Sequence, residues 1–262
     1  MQPAIAAKSA LYSVMLARKG FTGPEHAFEG SGGFYNCYTL DRPPQPASFL
    51  IPPAPFGIEE LVIKKIPTCG IHQPCVVSAF YLRDKYNLKY TEIERVEFFL
   101  QEGGGTLVSM PFSENAIPQI AAQFCAPYAI ALALTMGDAN VRRFTNEAVI
   151  QDKETIDLAR RTVEITRFSD MKLANYPQSK TYSRYLKVYL RNNKILEHEY
   201  SAVTLCEILT GDMAFVKNKL SQCLAVYGDV DPETVDRVVT AAIHLYNAKD
   251  ITELVAVLQS EN

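Results

Sequence analysis

YSRYLKVYLRNNKILEHEY, residues 182–200, sets two aromatic and β-branched runs on either side of Asn192 and Asn193. Asparagine tolerates the left-handed backbone that a tight hairpin turn demands, so the stretch predicts a β-hairpin. It puts a sheet into a chain whose other signals are mostly helical. Upstream, IERVEFFL (93–100) alternates as a strand does and is ended by the glycines at 103–105. Between the two lies IPQIAAQFCAPYAIALALTMGD (117–138), read as helical, with Pro127 tolerated at a kink or a first turn and Gly137 as its stop. TNEAVI and KETIDLARRT follow as short amphipathic helices. CVVSAFYLRDKYNL (75–88) reads as a helix with Val76, Phe80 and Leu82 inward, and IEELVIKKI (58–66) as a strand entering this mixed unit.

Outward from that centre the chain turns helical at both ends. A first helix is expected from about Ile5 to Lys19, with Leu11, Val14 and Met15 as its apolar stripe and Gly20 as its stop. From Gly20 to Pro55 repeated Gly and Pro predict an irregular path or a crossover, and the glycines of EGSGGF and EGGGTL read as turns because neither run is followed by the Lys-Ser/Thr of a phosphate loop. Three helices close the chain. One is expected at about 212–227; one follows DPET, with Asp231 as N-cap, Pro232 in the first turn and residues 235, 238, 239, 242 and 246 on one face; the last starts at Asp250, with Glu253 at capping-box spacing. The order predicts an α+β protein in which a mixed unit, 58–203, is inserted between helical parts, 1–57 and 204–262. A seam between two such layers is a common place for a small-molecule site.

At 262 residues and 48% hydrophobic the chain can bury a sizeable core, as one large or two modest domains. A net charge of −3 with scattered Lys and Arg argues against a nucleic-acid surface, while one or two placed cations suffice for a small anion. Six cysteines in a chain of this length do not form a secreted disulfide framework; Cys125, Cys206 and Cys223, in apolar surroundings, are expected to be reduced and buried, which favours the cytoplasm. No signal peptide is recognised at the start. The longest uncharged span, Asn115–Gly137, holds two glutamines and two prolines, and reads as a buried helix rather than a membrane span.

One stretch concentrates chemistry. IPTCGIHQPC (66–75) brings two cysteines, a histidine and two prolines to the mouth of a helix. A metal would need a fourth ligand from elsewhere, and neither C-x-x-C nor H-E-x-x-H occurs. A thiol nucleophile would need a helix N-terminus or a cation beside Cys69, and Lys64 and Lys65 are close in sequence. In the plainest reading Cys69 packs and Pro67 and Pro74 shape a bend. In the functional one, Gly70 lets a ligand approach the backbone, the helix start supplies free N–H groups for a carboxylate, and His72 donates to that carboxylate or moves a proton. A lone histidine is more often structural, and spacing alone leaves the choice open.

Two long segments resemble the MmgE/PrpD family, whose members include 2-methylcitrate dehydratase and cis-aconitate decarboxylase: SALYSVMLARKGFTGPEHAFEGSGGFYNCY (9–38) and QFCAPYAIALALTMGDANVRRFTNEAVIQDKETIDLARRTVEI (123–165). IKKIPTCGIHQPCVVSA (63–79) is similar to the family's K-x-YP-C…HPAIDA motif. The resemblance implies an all-helical domain with an inserted α+β lid, a tri- or dicarboxylate substrate held in the cleft between them, and no metal or organic cofactor. It implies a lyase of the dehydratase type, in which a base removes a proton α to a carboxylate and an acid assists loss of hydroxide. His72 is then the catalytic candidate, with Cys69, Gly70 and Gln73 on the substrate in an open cleft. Aligned on Pro67 and Pro74, the family's histidine falls on Gln73, and His72 stands one place early. Cys69 occupies a column where dehydratase-like members carry Cys and decarboxylases a catalytic His. Decarboxylation, epimerisation and a non-catalytic remnant are the rival functions. The resemblance further implies a homodimer or a partner chain, a mitochondrial address in a eukaryote, and acid/base residues lying before Met1, so that this chain is expected to be the C-terminal part of the family fold and inactive alone.

Overall fold

The computed structural model describes residues 2–38, 63–100, 108–114, 117–165, 184–200, 212–226, 228 and 230–259. The chain divides into two compact units, Met1–Leu61 and Val62–Asn262. In the first, helix α1 (Gln2–Arg18) ends where Gly20 adopts φ +88. Gly20 donates to the Ala17 carbonyl and Phe21 to the Leu16 carbonyl, the paired bonds that satisfy the last carbonyls of a helix closed by a left-handed residue. Leu11, Val14 and Met15, the expected apolar stripe, are exposed. Turns over residues 25–33, as the glycine run predicts, lead into a short helix α2 (Phe34–Tyr38), a regular element within a stretch expected to be irregular.

The second unit is α+β. Helix α3 (Gln73–Tyr86) begins two residues before the expected start, with Pro74 in its first turn, where a missing N–H costs nothing. It is closed by Asn87 at φ 48, with Leu88 donating to the Arg83 carbonyl and tucking its own side chain into the core. Strand β1 (Ile93–Phe99) follows. The apolar run then breaks into two helices, α4 (Pro118–Gln123) and α5 (Ala126–Met136), with Pro127 in the first turn of the second. Helices α6 (Asn146–Gln151) and α7 (Lys153–Arg160) are each started by a side-chain cap: the Ala148 N–H donates to Thr145 Oγ1 at 3.2 Å, and the Thr155 N–H donates to Asp152 Oδ1 at 3.0 Å. Strands β2 (Thr162–Glu164), β3 (Arg184–Leu190) and β4 (Ile195–Tyr200) complete a sheet of order β2-β1-β3-β4. The hairpin β3–β4 turns through Asn193 at φ 66, as the sequence predicts.

Among the described strands only the β1–β2 pair is parallel, and the connection between these strands carries α4 to α7. Val96 opposite Val188 and Phe98 opposite Leu186 place their side chains in the core shared with α3, α5 and α7. The alternate residues make a polar face, where Lys187 lies between Glu97 and Glu197 on its two neighbour strands and Arg95 stacks 3.4 Å from the Tyr189 ring centre. Ten consecutive residues, Cys125 to Leu134, are buried, so α5 is the helix the other elements surround. It packs against α3, α7 and β2.

Helices α8 (Met213–Leu224), α9 (Pro232–His244) and α10 (Thr252–Gln259) follow. Asp212 and Asp231 cap the first two, accepting from the N–H groups of Phe215 and Thr234. The buried face of α9 runs through Val235, Val238, Val239 and Ala241; Ala242, still within the helix, is exposed, and so is Tyr246, which lies in the 3-10 turn that follows the end of the α-helix at His244. Residues 63–66, expected as the end of a strand, form none, and the chain bends over 65–68, since Thr68 donates back to the Ile66 carbonyl and Pro67 has no N–H to give a ladder. The rest of that expected strand, residues 58–62, and the glycines at 103–105 lie outside the described residues. No described helix is long and apolar enough to cross a membrane.

Gly137 closes α5 at φ 66, and a Cβ there would meet the Arg83 guanidinium at 2.2 Å. Gly137→Ala is expected to cost about 1–2 kcal/mol, mostly from the left-handed backbone because the arginine can move aside. Gly228→Ala, in open space, serves as the neutral control. Equal urea midpoints for the two variants would contradict this account of the turn.

Candidate functional site

The bend at 66–73 is held by its own side chains. Lys64 Nζ donates to the Thr68 carbonyl at 3.1 Å, and Gln73 Nε2 donates to the Ile66 carbonyl at 2.8 Å and the Thr68 carbonyl at 3.3 Å. The Cys69 N–H donates to the Gln123 carbonyl at 3.0 Å, which ties the turn to the break between α4 and α5. A 3-10 turn over Gly70–His72 then runs directly into α3. Gln73 is thus a brace for the bend.

Burial separates the four candidates. Gly70 is exposed and Cys69 half-buried. His72 and Gln73, expected to line an open cleft, are 0% and 1% exposed. The 3-10 turn rotates both side chains inward, toward the core that receives α3. Among the described residues neither nitrogen of His72 has a hydrogen-bond partner, nor does Gln73 Oε1 or Thr68 Oγ1. Burial, aided by the Lys64 charge, pushes the His72 pKa down to about 4, so the ring is neutral near neutral pH. Four partnerless buried polar atoms within six residues are costly, since each forgoes the hydrogen bonds it had in water. Native proteins keep few such groups, and they call for an explanation in function.

The model of the MmgE/PrpD C-terminal domain matches residues 66–244, more than half of the chain. The chain belongs to the MmgE/PrpD family. Membership carries a lyase-type role at the level of the family. No curated protein matches the chain significantly.

In this MmgE/PrpD chain the two segments that carry the resemblance in the second unit meet in space, the turn lying against the start of α5 through the Cys69–Gln123 bond. Two residues stand out there, Lys64, read from the sequence only as a cation near Cys69, and Tyr128, which sequence reasoning passed over. Lys64 is the cation of the turn, and Tyr128, fully buried in α5 between Phe112 and Phe144, has a hydroxyl with no partner among the described residues. Burial, with the negative charge of Asp152 behind it, raises the Tyr128 pKa further above its ordinary value. A phenol within an Ala- and Leu-rich helix was the available signal for it. Cys125 is buried as expected, donating to the Met110 carbonyl at 3.4 Å, whereas Cys223 is half-buried and Cys206 lies outside the described residues. The other histidines serve elsewhere. His26 pairs with Glu29 on the surface, and His198 Nδ1 lies 2.8 Å from Ser78 Oγ while its ring stacks on Tyr81. Among the described residues no group of three His, Cys, Asp or Glu is placed to hold a metal. A separate cleft of about 380 Å³ opens between α3, the loop after α5 and α8.

Burial pushes the Cys125 thiol up to about 11, which leaves roughly 0.1% thiolate at pH 8. Alkylation of the native protein at pH 8 is expected to modify Cys37 and Cys69 well before Cys125; mass spectrometry of timed samples reads the order, and earlier loss of Cys125 contradicts it.

His72 also makes stability depend on pH. Its folded pKa of about 4 lies below the unfolded value of 6.5, so between these limits the unfolded chain binds the extra proton. Stability therefore falls as pH drops through that window, by up to about 1.4 kcal/mol per unit. His72→Leu is expected to remove this slope, and urea midpoints measured from pH 7 to pH 4 should converge on, then favour, the variant. Parallel profiles would show that His72 is not buried neutral.

Proposed function

We propose that the protein serves as a dehydratase-type lyase on a 2-methylcitrate-like tricarboxylate, with the bend at 64–73 facing the substrate. The observation that carries this reading is the cluster of partnerless buried polar atoms at Thr68, His72 and Gln73 beside the Lys64 cation, in a chain of the MmgE/PrpD family. A carboxylate would be held by Lys64 and by the backbone N–H groups around Gly70, where negative charge develops as a proton leaves the adjacent carbon. A neutral imidazole can accept that proton or donate to the departing hydroxyl, which an imidazolium cannot do in both directions. Since His72 is closed from solvent, its action requires the Gly70–His72 turn to yield when substrate arrives. The same proposal includes the division into helical parts, 1–57 and 204–262, and a lid-like part, 58–203, the reaction without metal or organic cofactor, and assembly as a dimer or with a partner chain.

The dehydratase form is favoured over decarboxylation by Cys69, which stands where a decarboxylase would carry its catalytic histidine. Protection of Cys69 from alkylation by 2-methylcitrate tests the reading apart from turnover, with exposed Cys37 as internal control. Lys64→Met is expected to abolish protection, and His72→Leu to keep it while eliminating any appearance of the conjugated double bond by ultraviolet absorbance. Equal alkylation of Cys69 with and without the tricarboxylate would overturn the substrate-facing assignment, and carbon dioxide release from cis-aconitate would replace dehydration by decarboxylation.

A further inference from the structure

The cleft of about 380 Å³ lies on the side of α3 that faces α8, and is lined on α3 by Val77, Phe80 and Asp84. Its remaining walls come from Lys65, the loop Gly137–Asn140 and one face of α8. Its charges do not cancel. Asp84 lies 3.5 Å from Arg83, and Asp138 lies 3.5 Å from Arg143 and accepts from the Asn140 amide at 2.7 Å. Both acids are therefore already compensated. Lys65 and Lys219 also line the cleft, and among the described residues neither has a carboxylate partner. Lys219 Nζ donates to the Lys65 carbonyl at 3.1 Å, which holds the ammonium at the wall with two protons left to give. It is half-buried, and loss of water pushes its pKa down, the condition that a bound anion would relieve. Asn218 accepts from Gln222 through its carbonyl, which leaves its own amide protons available.

The apolar part of the wall is as definite. Phe80 and Phe215 are half-buried and face the same space as Val77. A ligand must therefore carry one anionic end and a hydrocarbon or aromatic body. The two nearby acids, though paired, disfavour a densely charged ion such as a phosphate dianion or a tricarboxylate. The volume is at the low end of pockets that enclose small metabolites.

We propose that this cleft is a second ligand site, for a small aryl or branched alkyl monocarboxylate, with Lys65 and Lys219 on the carboxylate, the Asn218 amide beside them and the body against Phe80 and Phe215. The ligand class differs from that of the proposed substrate, and of the 64–73 bend only Lys65 and Ile66 line the cleft, while Lys64, Thr68, His72 and Gln73 do not.

The test is calorimetric titration of the full chain with 3-phenylpropionate, with 3-phenylpropanamide as the uncharged analogue and inorganic phosphate as competitor. The acid is expected to bind at least tenfold more tightly than the amide, and phosphate not to displace it. Lys65→Gln and Lys219→Gln are each expected to weaken it at least tenfold. In the unmodified protein, the acid should slow acylation of Lys219 by an amine-reactive ester, read by mass spectrometry, while exposed Lys249 reacts as before; this arm does not depend on any variant folding. No binding of the acid, equal binding of acid and amide, displacement by phosphate, or unchanged acylation of Lys219 would each overturn the proposal.

Discussion

Burial of α5 on all sides is the constraint from which the second unit is built. A helix with no charged residue between Cys125 and Met136 has no face to give to water, so it must be surrounded. The helices α3 and α7 and the strand β2 meet that demand. Its small residues allow close approach, and the Thr135 hydroxyl is answered locally: it lies 2.6 Å from Thr155 Oγ1, which donates to the Asp152 carboxylate that also caps α7. One polar contact thus joins the central helix to the start of its neighbour.

The candidate site depends on the same helix through a single backbone bond. The break between α4 and α5 leaves the Gln123 carbonyl free to accept from Cys69, and this fixes the bend ahead of α3. Gln73 and Lys64 then take up the carbonyls that the bend leaves over. What they do not take up is as informative. Among the described residues His72 has no hydrogen-bond partner, and it lies neutral beside a lysine, an arrangement that burial makes unfavourable to protonate and that a bound polar ligand would improve. A stable core alone would favour an apolar residue at that position.

Electrostatics also distinguishes the two concave regions. At the bend, Lys64 is turned toward the Thr68 carbonyl and its field reaches His72. Its neighbour Lys65 lines the cleft beneath α8, so two adjacent cations serve two different surfaces. In the cleft the acids are matched by Arg83 and Arg143, and the lysines are not matched by any described acid. An excess of two ammonium groups over a partly aromatic wall is a stronger discriminator of ligand charge than of ligand identity.

The sequence by itself determined the local elements, because their causes are local. Caps at Thr145, Asp152, Asp212 and Asp231, the stops at Gly20 and Gly137, and the Asn193 turn each follow from the conformational preference of one residue. The alternation of β1 and of the hairpin marked the sheet, and the resemblance of 63–79 and 123–165 marked the family and the turn that holds the candidate residues. Only the tertiary structure decided strand order, the bend in place of a strand at 63–66, and the inward rotation of His72 and Gln73. Strand order rests on pairing between residues far apart in the chain, and the turn before α3 is set against the core by Cys69 with Gln123, contacts for which no local pattern exists. Spacing tells that a histidine stands at the mouth of a helix; whether its ring meets water or core is settled by the turn that precedes it and the helix packed behind it.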